Sequence, residues 1–155
     1  LRQIVFDLAG GMEEGQEFKA VQVGGPLGAI LPEALLDTPL DFESLAAVGG
    51  ILGHGGLVVY GQEEDLFAIV RGLLAFCAKE SCGKCFPCRI GSRRGVELMD
   101  QIRAGGFTDP RRQLLDELLH TLELGSLCGL GGMIHFPVRS VMRHFPASFP
   151  AAETA

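Results

Sequence analysis

The chain has 155 residues, a size that suits one ordinary domain or two small ones sharing a face. With 47% hydrophobic and 21% charged residues it is globular rather than disordered. A net charge of −6, no Trp and a single Tyr (Tyr60) argue against a nucleic-acid partner, which would ask for a basic face or stacking aromatics. The charge is uneven. Residues 1–50 hold two basic and eight acidic side chains, whereas 51–155 hold eleven of each. No apolar run reaches the ~20 residues of a membrane span, so no direct membrane insertion is expected, and no secretory leader opens the chain. It begins Leu1-Arg2 rather than with Met, and is expected to be a piece of something longer from a cytoplasmic protein.

In chain order, Arg2–Leu8 alternates Ile4, Phe6 and Leu8 on one side and predicts a strand with one buried face. Phe18–Val23 predicts a second strand. Gly24-Gly25-Pro26-Leu27-Gly28 lacks the spacing of a phosphate-binding loop and reads as a structural turn. Asp41 caps a short helix over Phe42–Val48, and Leu57–Tyr60 predicts a buried strand between glycines. From Gln62 the period becomes helical. Leu66, Ile69, Val70, Leu73, Leu74 and Cys77 form one stripe, with Glu63, Glu64 and Asp65 in the first turn. A second helix runs from about Cys88 to Arg103. Thr108-Asp109-Pro110 starts a third over Arg111–Leu124, with Leu114, Leu115, Leu118, Leu119 and Leu122 on one face. Pro137 opens a last short helix ending near Phe145, and the final ten residues read as a frayed tail. The class is α+β: a small strand-rich unit over residues 1–61, a four-helix bundle over 62–147, and a tail over 148–155.

The chemistry concentrates in the cysteines. Cys82, Cys85 and Cys88 are spaced C-x2-C-x2-C, and Cys128 lies forty residues on in Ser126-Leu-Cys-Gly-Leu-Gly131. Three thiolates on one tight loop can hold three corners of a cubane, and a helical hairpin can return the fourth, a three-plus-one pattern typical of [4Fe-4S] ligation. Lys84, Arg89, Arg93 and Arg94 cluster nearby, where cations offset the negative charge of a thiolate-ligated cluster. Structural zinc on the same four cysteines is the alternative, although zinc ribbons more often pair two C-x2-C knuckles. Cys77 falls on the apolar stripe of its helix and reads as core. Of His54, His120, His135 and His144, none forms a metal-ligand pair on one helix face. His135, seven residues past Cys128, is the best candidate to support a ligand from behind.

Glu80-Ser-Cys-Gly-Lys-Cys-Phe-Pro-Cys-Arg89 followed by Ser126-Leu-Cys-Gly-Leu-Gly131 resembles the C-terminal part of the family of NADH-binding flavoprotein subunits. That family includes the 51 kDa subunit of complex I, the diaphorase subunits of NAD-linked hydrogenases and the beta subunit of NAD-dependent formate dehydrogenase. Val21-Gln-Val-Gly-Gly-Pro26 and Leu36-Asp-Thr-Pro-Leu-Asp41 look like its soluble-ligand-binding β-grasp domain. Cys88-Arg-Ile-Gly-Ser92, Leu130-Gly-Gly-Met133, Phe136-Pro-Val138 and His144-Phe-Pro146 look closer to the formate dehydrogenase protein. The resemblance implies a β-grasp-like domain followed by a helical iron-sulfur domain, with Cys82, Cys85, Cys88 and Cys128 matching the cluster ligands one by one. It implies a relay among NAD(H), FMN and one [4Fe-4S] cluster. The flavin and nucleotide sites would lie in an N-terminal domain without counterpart in this chain, and the piece alone is not expected to oxidise NADH. Partners implied are the other subunits of a multi-subunit oxidoreductase: a small [2Fe-2S] subunit and an iron-sulfur or molybdenum-containing large subunit. The acidic first third is expected to be a docking surface.

Overall fold

The computed structural model describes residues 1–152. It is a mixed α and β structure. A three-stranded antiparallel sheet has the order β2-β1-β3, with β1 Phe18–Val23, β2 Ala29–Pro32 and β3 Leu57–Gly61. Val21 pairs with Leu31 on one side and with Val59 on the other. Between β1 and β2 the glycine-rich segment is a turn. Gln22 Nε2 donates to the carbonyls of Pro26 and Gly28, and the Tyr60 hydroxyl donates to Gln22 Oε1 at 2.7 Å.

Both faces of the sheet are covered, as the pleat dictates. Val21, Val23, Leu31, Leu36 and Leu45 pack on one face with Val5. Leu45 belongs to α1 (Phe42–Ala47), whose cap is Asp41, accepting from the Ser44 N–H at 2.7 Å. Ala20 and Ile30 face the other way, into the core of the helices.

Those helices are α2 (Leu66–Glu80), α3 (Phe86–Gly105), α4 (Asp109–Gly125), the single turn α5 (Gly129–Gly132) and α6 (His135–His144). α2 packs on α3 and α3 on α4, while α6 lies against β2 and touches α2 and α4. The Ile30 N–H donates to Ser140 Oγ at 2.8 Å, a buried bond between sheet and α6. α3 turns Gly91 and Gly95 toward its neighbours. A methyl group at Gly91 would stand 2.9 Å from Leu122 Cδ2, and one at Gly95 the same distance from Leu74 Cδ2. Small residues here let three helices approach closely.

Five readings of the sequence are corrected. Leu57–Gly61 is a strand but not a buried one: it lies at the edge of the sheet with no residue fully buried and Val58 48% exposed. Gln3–Leu8 is a wide helical turn rather than a strand: the Ala9 N–H reaches the Ile4 carbonyl five residues back, Val5 is buried and Leu8 is 75% exposed. In so short a segment alternation carries no more weight than the i, i+4 pair Leu1 and Val5, and the turn satisfies its own backbone groups. Asp65 is the cap of α2 rather than part of its first turn, accepting from the Ala68 N–H at 2.9 Å. Leu114 is exposed on α4, where only Leu115, Leu119 and Leu122 are fully buried. The tail is docked as far as it is described. Phe149 is buried, stacked on Phe107 at 4.4 Å and edge-on to Phe67 at 5.1 Å, and the Phe107 N–H donates to the Pro150 carbonyl. Residues 153–155 of the expected tail lie outside the described residues.

Leu119, fully buried among α2, α3 and α4, sets a stability test. Leu119→Ala is expected to cost about 2–5 kcal/mol in denaturant unfolding, the range of buried leucine truncations.

Candidate metal centre

The cysteine loops meet where three helix ends converge. α2 ends at Glu80, and its C-cap Ser81 turns extended. Gly83, at φ +77, makes the reversal that a residue with a side chain adopts only under strain. Its N–H donates to Ser81 Oγ at 3.3 Å. Cys85 is the N-cap of α3, and Pro87 occupies the first turn, where a missing N–H costs nothing. The helix therefore begins at Phe86, ahead of the Cys88 start read from the sequence, and Cys88 sits inside the first turn with 4% exposure.

The second loop arrives from the end of α4. Gly125 lies against Pro87, so close that a methyl group there would stand 2.8 Å from Pro87 Cγ. Ser126 leaves the helix extended, and Cys128 precedes α5. The backbone N–H groups of Leu127 and Cys88 hold the Cys85 thiol below its ordinary pKa. The Cys88 thiol faces Ser81 Oγ at 3.4 Å. The two loops, forty residues apart in sequence, thus meet where Gly125 lies against Pro87 and Gly131 against Cys88.

Of the four predicted ligands, Cys85 and Cys88 neighbour one another, and the loop of Cys128 comes up against Cys88 at Gly131. Cys82 and Cys128 are exposed at the rim. Among the described residues no three Cys, His, Asp or Glu side chains gather tightly enough to hold a single metal ion. A cubane takes each thiolate on a different iron and so suits a wider spread of sulfurs than one ion bonded at ~2.3 Å.

Three observations test the fit to an iron-sulfur cluster. The donor set is soft thiolate sulfur, and nearby backbone N–H groups favour the thiolate form of Cys85. Ser126 Oγ is buried without a hydrogen-bond partner, the only such side-chain oxygen or nitrogen among the described residues. Gly131 closes the floor: a methyl group there would stand 2.8 Å from Cys88 Cβ and overlap the Ser126 side chain. The residues fit the group.

The surroundings divide. Lys84, Arg89 and Arg93 have no ion-pair partner among the described residues, whereas Arg94 pairs with Glu97. His135 does not reach a cysteine. Its Nδ1 faces the Gly132 carbonyl at 2.9 Å and its Nε2 lies 3.7 Å from Glu123 Oε1. Burial pushes its pKa down against the pull of Glu123. Glu123 is held below the usual carboxylate range chiefly by Arg139, whose Nη1 donates at 2.6 Å. The group fastens the corner between α5 and α6, behind the Cys128 loop. An apolar rim that the sequence did not mark surrounds the cysteines: Phe86, Leu124 and Leu127 are 76%, 71% and 77% exposed.

Cys77 is core, as its place on the α2 stripe predicts. It is fully buried, its thiol lies 3.5 Å from the Leu130 carbonyl, and burial pushes its pKa up to about 12. Alkylation separates the buried thiols from the rest. Iodoacetamide at pH 8 is expected to label Cys82, Cys85 and Cys128 once iron is chelated, and Cys77 and Cys88 only after unfolding. Peptide mass mapping checks this.

Residues 68–152 match the family model described as NADH-ubiquinone oxidoreductase-F iron-sulfur binding region. The chain is 41% identical over 97% of its length to the NADP-reducing hydrogenase subunit HndC of Solidesulfovibrio fructosivorans, covering 31% of that protein. It is 35% identical to the F subunit of the NADH-quinone oxidoreductase of Escherichia coli K12, with 97% of this chain and 34% of that one covered. Among solved structures, an NAD+-reducing [NiFe]-hydrogenase in its H2-reduced state matches with a TM-score of 0.78 and 33% identity, over 93% of this chain and 24% of that one. The chain spans about a third of the length of these curated relatives. Among the described residues no helix is long and apolar enough to cross a membrane. The family match takes in the cysteine loops and every helix from α3 to α6, and on it the chain belongs to the NADH-ubiquinone oxidoreductase-F family, as its [4Fe-4S] cluster-binding region.

Proposed function

We propose that this chain is the electron-transfer portion of an NADH-linked oxidoreductase subunit, with Cys82, Cys85, Cys88 and Cys128 as the cluster ligands. The observation that supports the ligand set is the close approach at Gly131, where an added methyl group would stand 2.8 Å from both Cys88 Cβ and Ser126 Cβ, so that the loop of Cys128 lies against the loop of the other three. When bound, a [4Fe-4S] cluster supplies one-electron exchange at a potential tuned by nearby charge and hydrogen bonds. The chain's own contribution is to orient the thiolates, exclude water around buried Cys88, and set unpaired Lys84, Arg89 and Arg93 nearby as compensating positive charge. The exposed rim of Phe86, Leu124 and Leu127 is the face on which a redox partner would seat.

In this reading residues 1–61 form a β-grasp-like unit and 62–147 a four-helix bundle of α2, α3, α4 and α6. NAD(H) and FMN chemistry belongs to the part of such a subunit that precedes these residues. The partners are a small [2Fe-2S] subunit and a large iron-sulfur or molybdenum-containing subunit, on the cytoplasmic side. Formate as the terminal substrate rests on residues 88–92, 130–133, 136–138 and 144–146. Hydrogen is the second reading, favoured by the 41% identity to a hydrogenase subunit; quinone reduction fits the NADH-quinone oxidoreductase relatives.

The test uses the complete complex under anaerobic conditions. NADH is expected to develop the low-temperature EPR signal of the cluster, and separate additions of formate, hydrogen and quinone identify the terminal couple. A cluster reduced by dithionite but never by NADH would remove the NADH-linked reading.

A further inference from the structure

Two serine hydroxyls flank Cys88. Ser81 Oγ lies 3.4 Å from Cys88 Sγ and already accepts the Gly83 N–H, which leaves its own proton free to point at the sulfur once Cys88 is a thiolate. Ser126 Oγ is buried and has no hydrogen-bond partner among the described residues. Its position relative to Cys88 is fixed by Gly131. A methyl group built there would be 2.8 Å from both Cys88 Cβ and Ser126 Cβ and would overlap Ser126 Oγ. A buried hydroxyl left unpaired forfeits its hydrogen bonds to water with nothing in return. A native site holds such a group where something not made of protein takes its hydrogen bond. Ser81 closes α2 and Ser126 closes α4, so the two donors are anchored on different helices.

We propose that Ser81 and Ser126 donate O–H···S hydrogen bonds to the sulfur atoms of the loaded site on its Cys88 side, and that these two bonds raise its reduction potential. The proposal rests on the iron-sulfur reading of the site. The physical reason is charge. Reduction adds an electron to an already anionic centre of low local dielectric. A fixed donor stabilises the more negative state more than the less negative one. The two hydroxyls lie on the buried Cys88 side of the site, while Cys82 and Cys128 are exposed.

The test is an EPR-monitored redox titration of the anaerobically reconstituted chain as wild type, Ser81→Ala, Ser126→Ala and Ser81→Thr. Each alanine variant is expected to keep the iron and sulfide content of the wild type. Each should lower the midpoint potential by up to about tenfold in the one-electron equilibrium, ~59 mV. Ser81→Thr, which keeps the hydroxyl, should restore it. In resonance Raman, Fe–S stretching bands of the wild type should shift in D2O, and the shift should shrink in both alanine variants. Wild-type midpoints in fully loaded alanine variants overturn the proposal. Loss of iron from both variants also overturns it, in favour of a purely structural role. A wild-type chain that takes up no iron and sulfide contradicts the cluster reading first, and the serine roles with it.

Discussion

Cys85→Ala is expected to abolish cluster binding, with iron affinity reduced beyond the ~100-fold that loss of a mere supporting hydrogen bond reaches. Cys85 is more than one ligand of four. It is the N-cap residue of α3, and the backbone N–H groups of Leu127 and Cys88 near it hold its thiol below the ordinary pKa. Removing it takes away one thiolate of four and the stabilised anion at the head of α3. Because ligation and folding are coupled where a site exists only in the folded state, melting of the helical part should move down with iron content. Iron and sulfide analysis beside circular dichroism checks both. A full complement of four irons in the variant would contradict the ligand assignment.

Gly131→Ala is the second large effect. The added methyl meets Cys88 Cβ and Ser126 Cβ at 2.8 Å, atoms fixed to backbone rather than free ends that can swing away. Overpacking of this kind costs about 1–3 kcal/mol, and it falls on the floor of the site, so iron occupancy should drop together with the melting temperature. Gly72→Ala is the matched control. Gly72 lies within α2 with nothing within 4 Å of the new methyl, and the substitution should stabilise by about 0.5–1 kcal/mol. Equal behaviour of the two variants would show that the close approach at Gly131 has no bearing on the site.

Much of the scaffold was legible because it rests on local signals. Asp41 at the head of α1, the apolar stripe of α2 ending at Cys77, and the glycine-flanked strand β3 are each specified within a dozen residues. Gln3–Leu8 was misread because six residues with apolar side chains at 4, 6 and 8 fit a strand as well as a wide turn. Only the packing of Leu1 and Val5 against Leu36 and Leu45 decides between them. The docking of Phe149 was hidden for a related reason: its partners, Phe67 and Phe107, lie about 80 and 40 residues away.

The site was half legible. Cysteine spacing pointed to the chemistry, and the motif residues around it to the family. Spacing could not show that Gly131 brings the Cys128 loop against Cys88, nor that Ser81 and Ser126 both lie beside Cys88. Serine beside cysteine is too common a pair to carry a signal. What distinguishes Ser126 is its burial without a partner, a property of the three-dimensional arrangement alone. The basic cluster was found in sequence, but Arg94 turns out to be paired with Glu97 and is partly compensated.

The measurement that bears most directly on the cluster assignment is iron and acid-labile sulfide analysis of anaerobically prepared protein, with EPR at low temperature after dithionite reduction. About four irons and four sulfides per chain are expected, with a signal that broadens away on warming. One zinc per chain, no sulfide and no signal would contradict the assignment, and would make the four cysteines a structural zinc site.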